Sequence, residues 1–124
     1  YRDKLPKFRN EGKMIFNVMD YERDAEGPLY EKIHPTQKPV RLMERLISIF
    51  TDPGDVVIDP VAGSGSTLIA AENLGRKAYG FEIKKDFYRK AVKWIDKNRL
   101  VRSEIKEYGF AKTLINELQP SLFG

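Results

Sequence analysis

Residues 55–82 read DVVIDPVAGSGSTLIAAENLGRKAYGFE, and they contain the strongest structural signals in the chain. The β-branched run at residues 56–58 predicts a strand, and the glycine turn that follows opens a helix expected over residues 66–73. Residues 78–83 predict a second strand, which carries Glu82. A short helical crossover between two strands of one sheet makes them parallel. The stretch therefore predicts an α/β arrangement with a nucleotide pocket at the carboxyl ends of the strands.

The glycine pattern restricts the ligand. A dinucleotide fingerprint GxGxxG that began at Gly63 would need a glycine at position 68, where this chain has Leu68, so the bound group is not expected to be a pyrophosphate. Free amides at the start of the helix attract a carboxylate as well as a phosphate. Glu82 follows Gly65 by 17 positions, close to the spacing of an acid that binds ribose hydroxyls. An adenosine-containing ligand with an amino-acid end satisfies both signals.

Composition limits the classes of protein. The 124 residues carry 32% charged and 41% hydrophobic side chains, as in a single globular domain. No apolar run approaches the roughly 20 residues that span a bilayer, so a soluble protein is expected. The lack of cysteine excludes disulfides, thiolate nucleophiles and cysteine zinc sites, and it is compatible with the cytoplasmic setting that we expect. No metal site is predicted. The net charge of +4 suits a polyanionic partner but is too small to identify one.

Two helical regions are predicted around the central stretch. Pro39 opens an amphipathic helix that ends at the TDPG sequence of residues 51–54, a predicted type II turn. A second amphipathic helix is expected over residues 85–100. Residues 103–118 are helix-prone but interrupted at Gly109.

The predicted sheet is incomplete. The first 33 residues are polar and broken by proline and glycine, and they hold one strand at most, over residues 14–19. Parallel strands are stable when both faces and both edges have neighbours. Either the N-terminal residues supply further strands, or another polypeptide segment completes the sheet.

Three motifs carry a resemblance to a known family. The chain contains HPTQKP at residues 34–39, PGDVVIDPVAGSGST at residues 53–67, and GFE at residues 80–82 before a tyrosine-containing helix. Together they resemble the C-terminal half of the DNA amino-methyltransferases that modify adenine-N6 or cytosine-N4, in the permuted (beta-type) motif order. The resemblance implies a partial Rossmann-like S-adenosylmethionine-dependent methyltransferase fold, parallel strands with flanking helices, S-adenosylmethionine as cofactor, and double-stranded DNA as partner in restriction–modification. It divides the chain into the end of a target-recognition or linker region (1–33), a cofactor-binding α/β region (34–100) and a C-terminal helical tail (101–124).

The same resemblance implies roles for particular residues. Glu82 would hold the ribose hydroxyls, and Phe81 or Ile83 would flank the adenine. Lys38 would neutralise the carboxylate of the methionine end. The other implied residues would contact the methionine moiety: Asp59, Gly63, Ser64, Gly65, Ser66 and Thr67 as its cradle, and Thr36 and Gln37 in the segment that closes over it.

The family's catalytic motif does not occur in this sequence. It consists of Asp, Asn or Ser followed by Pro-Pro and an aromatic residue, whereas Asp52-Pro53 and Asp59-Pro60 precede no second proline. In the permuted order the motif lies upstream. We therefore expect no catalytic residue here, and a chain that works with a missing N-terminal catalytic segment, with a second polypeptide or as a homo-oligomer. The implied reaction is direct in-line methyl transfer to the amine of a flipped-out base.

Each feature also has a structural interpretation, and other functions stay open. The glycine turn can be an ordinary loop, Asp59 can cap the next turn, and His34 can be a hydrogen-bonded structural residue. One alternative is a methyltransferase for RNA, protein or a small molecule, against which HPTQKP argues. A nicotinamide or flavin oxidoreductase is disfavoured by Leu68. A third alternative is a catalytically inactive DNA- or partner-binding module, and the lack of the catalytic motif in this sequence supports it.

Overall fold

The described part of the chain alternates helices and strands. A computed structural model of the chain describes residues 8–25 and 30–118. In chain order the elements are α1 (Val40–Phe50), β1 (Val56–Asp59), α2 (Ser66–Asn73), β2 (Lys77–Gly80) and α3 (Lys85–Leu118). The predicted positions of α1, β1 and α2 are confirmed.

β1 and β2 pair in parallel over their whole length, as predicted. β2 ends at Gly80, earlier than predicted, because the chain turns after β1: the amide of Val61, which would continue the ladder, donates to Asp59 Oδ1 at 3.0 Å instead. The amide of Phe81 still donates to the carbonyl of Asp59 at 3.0 Å. Glu82 therefore lies just beyond the strand rather than within it.

α1 begins directly after Pro39 and buries the apolar side chains of Val40, Ile47 and Ile49. The amide of Val40 donates to the carboxylate of Asp24 at 2.6 Å. Asp24 lies 16 positions upstream and thus satisfies an amide at the start of the helix. No local sequence pattern predicts this cap. This hydrogen bond links the N-terminal segment to the junction between the HPTQKP segment and α1.

The connection between α1 and β1 is the predicted type II turn. The amide of Asp55 donates to the carbonyl of Asp52 at 3.0 Å, and Gly54 has a φ of 87°. A positive φ at the third position of the turn favours glycine, and Pro53 pre-sets the second position.

α2 lies close to its neighbours because Ala70 and Ala71 are fully buried. Its end is a Schellman motif, in which Gly75 has a φ of 72° and the amide of Arg76 donates to the carbonyl of Ala71 at 2.8 Å. The buried Arg76 side chain turns back, and its Nε and Nη2 donate to the hydroxyl and carbonyl of Thr51 at 2.9 and 2.8 Å. Arg76 therefore joins the ends of α1 and α2.

Leu68 stands where a dinucleotide fingerprint has its third glycine, whose purpose is close helix–strand packing. Here the glycine lies on the strand instead. A Cβ added to Gly80 would come within 2.7 Å of Leu68 Cδ1 and 2.9 Å of Ala62 Cβ. The large side chain on the helix is accommodated because β2 presents a glycine to it.

α3 is one continuous helix, so the predicted separation of residues 85–100 from residues 103–118 and the predicted interruption at Gly109 are both wrong. Gly109 costs about 1 kcal/mol relative to alanine inside a helix, which is too little to interrupt it. Trp94 and Ile95, on the apolar face of this helix, are buried in the core. Although α3 is long, none of the described helices is apolar enough to cross a membrane.

An ion pair joins α2 to α3. Arg99 Nε donates to the carboxylate of Glu72 at 3.0 Å, and this hydrogen bond raises the pKa of Arg99. Neither residue belongs to the cleft described below.

The N-terminal segment adds no strand to the sheet over residues 8–25. The strand allowed for residues 14–19 does not form, and the side chains of Met14, Phe16 and Val18 are exposed. Within the described ranges the sheet therefore has only β1 and β2.

The two faces of this sheet differ. Val57 and Ala78 pack on the core that contains α2. On the opposite face, Val56, Ile58 and Tyr79 are 52%, 62% and 58% exposed. One side of the parallel sheet is thus apolar and bare of protein within the described residues.

Candidate functional site

A cleft of about 380 Å³ opens at the carboxyl ends of β1 and β2. Its position and size are those of a ligand site in an open α/β sheet. Residues from all three sequence motifs meet there. Of the predicted site residues, Gly65 and Phe81, the alternative to Ile83, are absent from the lining, which contains Thr36, Gln37, Lys38, Asp59, Gly63, Ser64, Ser66, Thr67, Glu82 and Ile83.

The glycine loop between β1 and α2 uses left-handed backbone at Gly63 and Gly65, with φ of 54° and 87°. Gly65 is the N-cap residue of α2, and a Cβ there would lie 3.1 Å from Cδ1 of Ile95. Gly65 therefore permits the close approach of α3, whereas Gly63 lines the cleft. The buried hydroxyls of Ser64 and Ser66 are 2.9 Å apart and hold the loop together.

Glu82 binds the glycine loop directly. Its Oε2 accepts a hydrogen bond from the amide of Gly63 at 2.9 Å, and its Oε1 accepts one from the amide of Lys84 at 2.8 Å. Each carboxylate oxygen can accept two hydrogen bonds, so each retains capacity for a ligand. The acid and the loop form one unit at the ends of the two strands.

Asp59 caps the turn after β1, which is the structural alternative to ligand binding. Its Oδ1 accepts a hydrogen bond from the amide of Val61 at 3.0 Å and shapes the turn after β1. Asp59 also lines the cleft. The same carboxylate therefore orders the turn and places negative charge beside the ligand space.

The HPTQKP segment forms another wall of the cleft. The side chain of Gln37 makes two hydrogen bonds to the backbone. Its Oε1 accepts from the amide of Ile33 at 2.8 Å, and its Nε2 donates to the carbonyl of Glu31 at 2.9 Å. Gln37 thus orders the loop. Thr36 and Lys38 are exposed cleft residues, with side chains accessible to a ligand.

Some lining residues were missing from the predicted site, among them His34, Lys84 and Phe87. His34 has a structural interpretation in the sequence, and Phe87 falls within the amphipathic helix expected over residues 85–100. Membership of the HPTQKP motif was the one signal that could have indicated His34. Of the two residues expected beside the adenine, Ile83 lines the cleft and Phe81 does not.

Comparison with known proteins identifies the family. A family model described as DNA methylase, of the N6 and N4 type, matches residues 3–93. The Type II methyltransferase M2.LlaDCHI of Lactococcus lactis subsp. cremoris is 35% identical over 97 residues, 78% of this chain and 36% of that protein. The DNA adenine methyltransferase YhdJ of Escherichia coli (strain K12) is 38% identical over 96 residues, 77% of this chain and 33% of that protein. This chain thus spans about a third of the length of these relatives.

A solved structure gives the same result for the fold. The crystal structure of the M1.HpyAVI–SAM complex has a TM-score of 0.52 and 39% identity, over 68% of this chain and 45% of that chain. The predicted fold, a partial Rossmann-like methyltransferase fold with parallel strands and flanking helices, is confirmed. Because the family match extends over every segment that builds the cleft, this chain belongs to the family of N6 and N4 DNA methylases.

Proposed function

We propose that this chain is the cofactor-binding part of a DNA amino-methyltransferase, which transfers a methyl group from S-adenosylmethionine to the exocyclic amine of adenine or cytosine in double-stranded DNA. The observation that carries the proposal is the Glu82 carboxylate held against the Gly63 amide in a cleft of about 380 Å³. A glycine loop after one strand and an acid after the neighbouring parallel strand are the two parts of a nucleoside site. The names of the relatives support DNA as the acceptor.

The cleft offers a group for each part of the cofactor. Glu82 retains acceptor capacity for the ribose hydroxyls, and exposed Ile83 offers an apolar surface for the adenine. The Lys38 ammonium would pair with the methionine carboxylate, while Asp59 would favour the amino group. The loop at residues 63–67 adds amides at the start of α2, which attract negative charge.

In the reaction, these residues bind and orient rather than transfer protons. S-adenosylmethionine supplies a methyl group activated on a sulfonium. By holding both ends of the molecule, Glu82 and Lys38 would keep its methyl group in a constant position relative to the incoming amine. In-line attack by that amine then needs no covalent enzyme intermediate. The groups that orient the amine belong, in this proposal, to another segment of the enzyme.

The bare sheet face supports the presence of that segment. Val56, Ile58 and Tyr79 are more than half exposed, whereas parallel sheets are normally covered on both faces. The relatives are about three times as long as the part matched here, so they contain further segments of sufficient size. We assign the covering role to an N-terminal catalytic segment or a second polypeptide that carries the Pro-Pro-aromatic motif. In a homo-oligomer another copy of this chain would take its place.

A non-catalytic DNA- or partner-binding module is the second candidate. It is favoured by one observation, that no Asp-Pro pair in this sequence precedes a second proline. The two candidates differ in methyl transfer, since a module would bind DNA or a partner without modifying it.

The test is a methyl-transfer assay with the full-length protein, isotopically labelled S-adenosylmethionine, and DNA, RNA and protein as separate acceptors. Label on DNA, found after digestion as N6-methyldeoxyadenosine or N4-methyldeoxycytidine, is the expected result. Label on RNA or protein alone would show a different acceptor. Cofactor binding without transfer to any acceptor would favour the module, and absence of cofactor binding would contradict the proposal as a whole.

A further inference from the structure

The imidazole ring of His34 packs on the ring of Phe87, with centroids 4.3 Å apart and planes at 56°. His34 begins the HPTQKP segment, and Phe87 lies in the first turn of α3. Both side chains line the cleft. Lys84 Nζ lies over the Phe87 ring, 5.5 Å from its centroid. The ring contact joins two walls of the cleft that come from separate parts of the chain.

The Nδ1 atom of His34 holds the residues that follow it. Thr36 approaches Nδ1 with its backbone amide at 3.2 Å and its hydroxyl at 3.0 Å. A backbone N–H can only donate, so Nδ1 must be an acceptor, and a neutral ring then carries its proton on Nε2. The hydroxyl of Thr36 can then only donate as well, and the two donors share the single lone pair of Nδ1.

This arrangement fixes the position of Lys38. The amide of Gln37 donates to the carbonyl of His34 at 3.1 Å, which closes a tight turn over residues 34–37. Lys38 follows that turn immediately and lines the cleft. A flexible turn would have to be ordered before Lys38 could pair with a ligand, and ordering costs affinity.

We infer that His34 is a positioning residue for the cofactor: through Nδ1 and through its contact with Phe87, it holds residues 36–38 in place for the amino-acid end of S-adenosylmethionine. The inference rests on the proposed function and adds to it a residue outside the predicted site. It requires that loss of the Nδ1 acceptor weaken the binding of ligands that have an amino-acid end and leave the binding of ligands without one unchanged.

Two substitutions separate the acceptor from the ring. His34→Phe keeps an aromatic ring on Phe87 and removes the acceptor, whereas His34→Asn retains an acceptor near the position of Nδ1. The full-length variants are titrated by calorimetry with S-adenosylmethionine and with methylthioadenosine, which lacks the amino-acid end. Loss of the acceptor that the Thr36 amide and hydroxyl share is expected to weaken S-adenosylmethionine binding about tenfold in His34→Phe, while His34→Asn stays within about threefold. Binding of methylthioadenosine is expected to stay unchanged for both.

Phe87 has a matched control in its neighbour. Phe87→Leu is expected to weaken S-adenosylmethionine binding, whereas Tyr88→Leu, at an exposed position outside the cleft lining, is expected to leave it unchanged. Melting temperatures verify that each variant is folded.

Three results would overturn the inference: unchanged S-adenosylmethionine affinity in His34→Phe, equal losses for both ligands, or a loss in His34→Asn as large as in His34→Phe. In each of these cases the unaltered protein still binds the cofactor, and the proposed function stands. Absence of binding by the unaltered protein would overturn the proposed function and this inference together.

Discussion

The carboxylate of Glu82 accepts a hydrogen bond from the amide of Gly63 at 2.9 Å, across 19 positions of sequence. Together with the bond from the Lys84 amide, this contact holds the acid and the glycine loop in one arrangement. A site whose groups are already ordered loses less free energy on binding than one that must be assembled.

Glu82→Ala is expected to weaken S-adenosylmethionine binding to the full-length protein by about 1–3 kcal/mol, because a charged acceptor is lost and the Gly63 amide loses its partner. Calorimetric titration measures the change. Glu72→Ala is the control, since Glu72 binds Arg99 and does not line the cleft. Equal affinities of Glu82→Ala and the unaltered protein would show that the acid does not hold the ribose.

Lys38→Ala is expected to weaken S-adenosylmethionine binding by about 1–3 kcal/mol, through loss of a charge-assisted hydrogen bond to the carboxylate. Methylthioadenosine has no carboxylate, so its affinity should not change. Lys77→Ala, on β2 and outside the cleft, removes the same charge elsewhere. If Lys77→Ala and Lys38→Ala had equal effects in the same titration, net charge rather than a specific contact would be responsible.

Gly80→Ala is expected to lower the free energy of unfolding by about 1–3 kcal/mol in urea denaturation, as overpacking does. The added Cβ would lie 2.7 Å from Leu68 Cδ1, so Leu68→Ala in the same protein should restore part of the loss. Gly109→Ala should have the opposite sign, with a gain of up to about 1 kcal/mol, because it lies inside α3. A neutral Gly80→Ala would mean that β2 and α2 can separate freely.

Arg76→Ala is expected to destabilise the fold by about 1.5–3 kcal/mol, since it removes the hydrogen bonds of a buried guanidinium to Thr51. An exposed residue on α3 supplies a control, Lys97→Ala, for which a change within about 0.5 kcal/mol is expected. Chemical denaturation of both variants compares them. Similar stabilities would show that the link between α1 and α2 is dispensable.

Ile58→Ala tests whether another segment covers the bare sheet face. In the full-length protein it is expected to lower the free energy of unfolding by about 2–5 kcal/mol, as for a buried isoleucine. Leu100→Ala on α3, at a residue of similar exposure, should cost much less. A small effect for Ile58→Ala would mean that the face remains open to solvent.

The boundaries of α1, β1 and α2 could be predicted because each is set by residues with their own conformational preference. Pro39 fixes the entry to α1, and Pro53 with Gly54 forms the turn before β1. The end of β2 and the continuity of α3 could not be predicted in this way. The first depends on the turn that the chain makes after Asp59, and the second on the small cost of Gly109 within a long helix.

The lining of the cleft could largely be predicted because the carboxyl ends of parallel strands meet at one edge of a sheet. The contacts that support it could not. Asp24 with Val40, and His34 with Phe87, join residues distant in sequence, and nothing in their local patterns indicates the pairing. Such contacts follow from the tertiary arrangement, which the sequence motifs do not specify.

A crystal structure of the full-length protein with S-adenosylmethionine would show whether Glu82 and the glycine loop hold the cofactor together. We expect the ribose hydroxyls to hydrogen-bond to the Glu82 carboxylate while its bond to the Gly63 amide is kept, and the methionine carboxylate to lie at Lys38. A cofactor bound elsewhere, or a Glu82 carboxylate directed away from the ribose, would contradict the account.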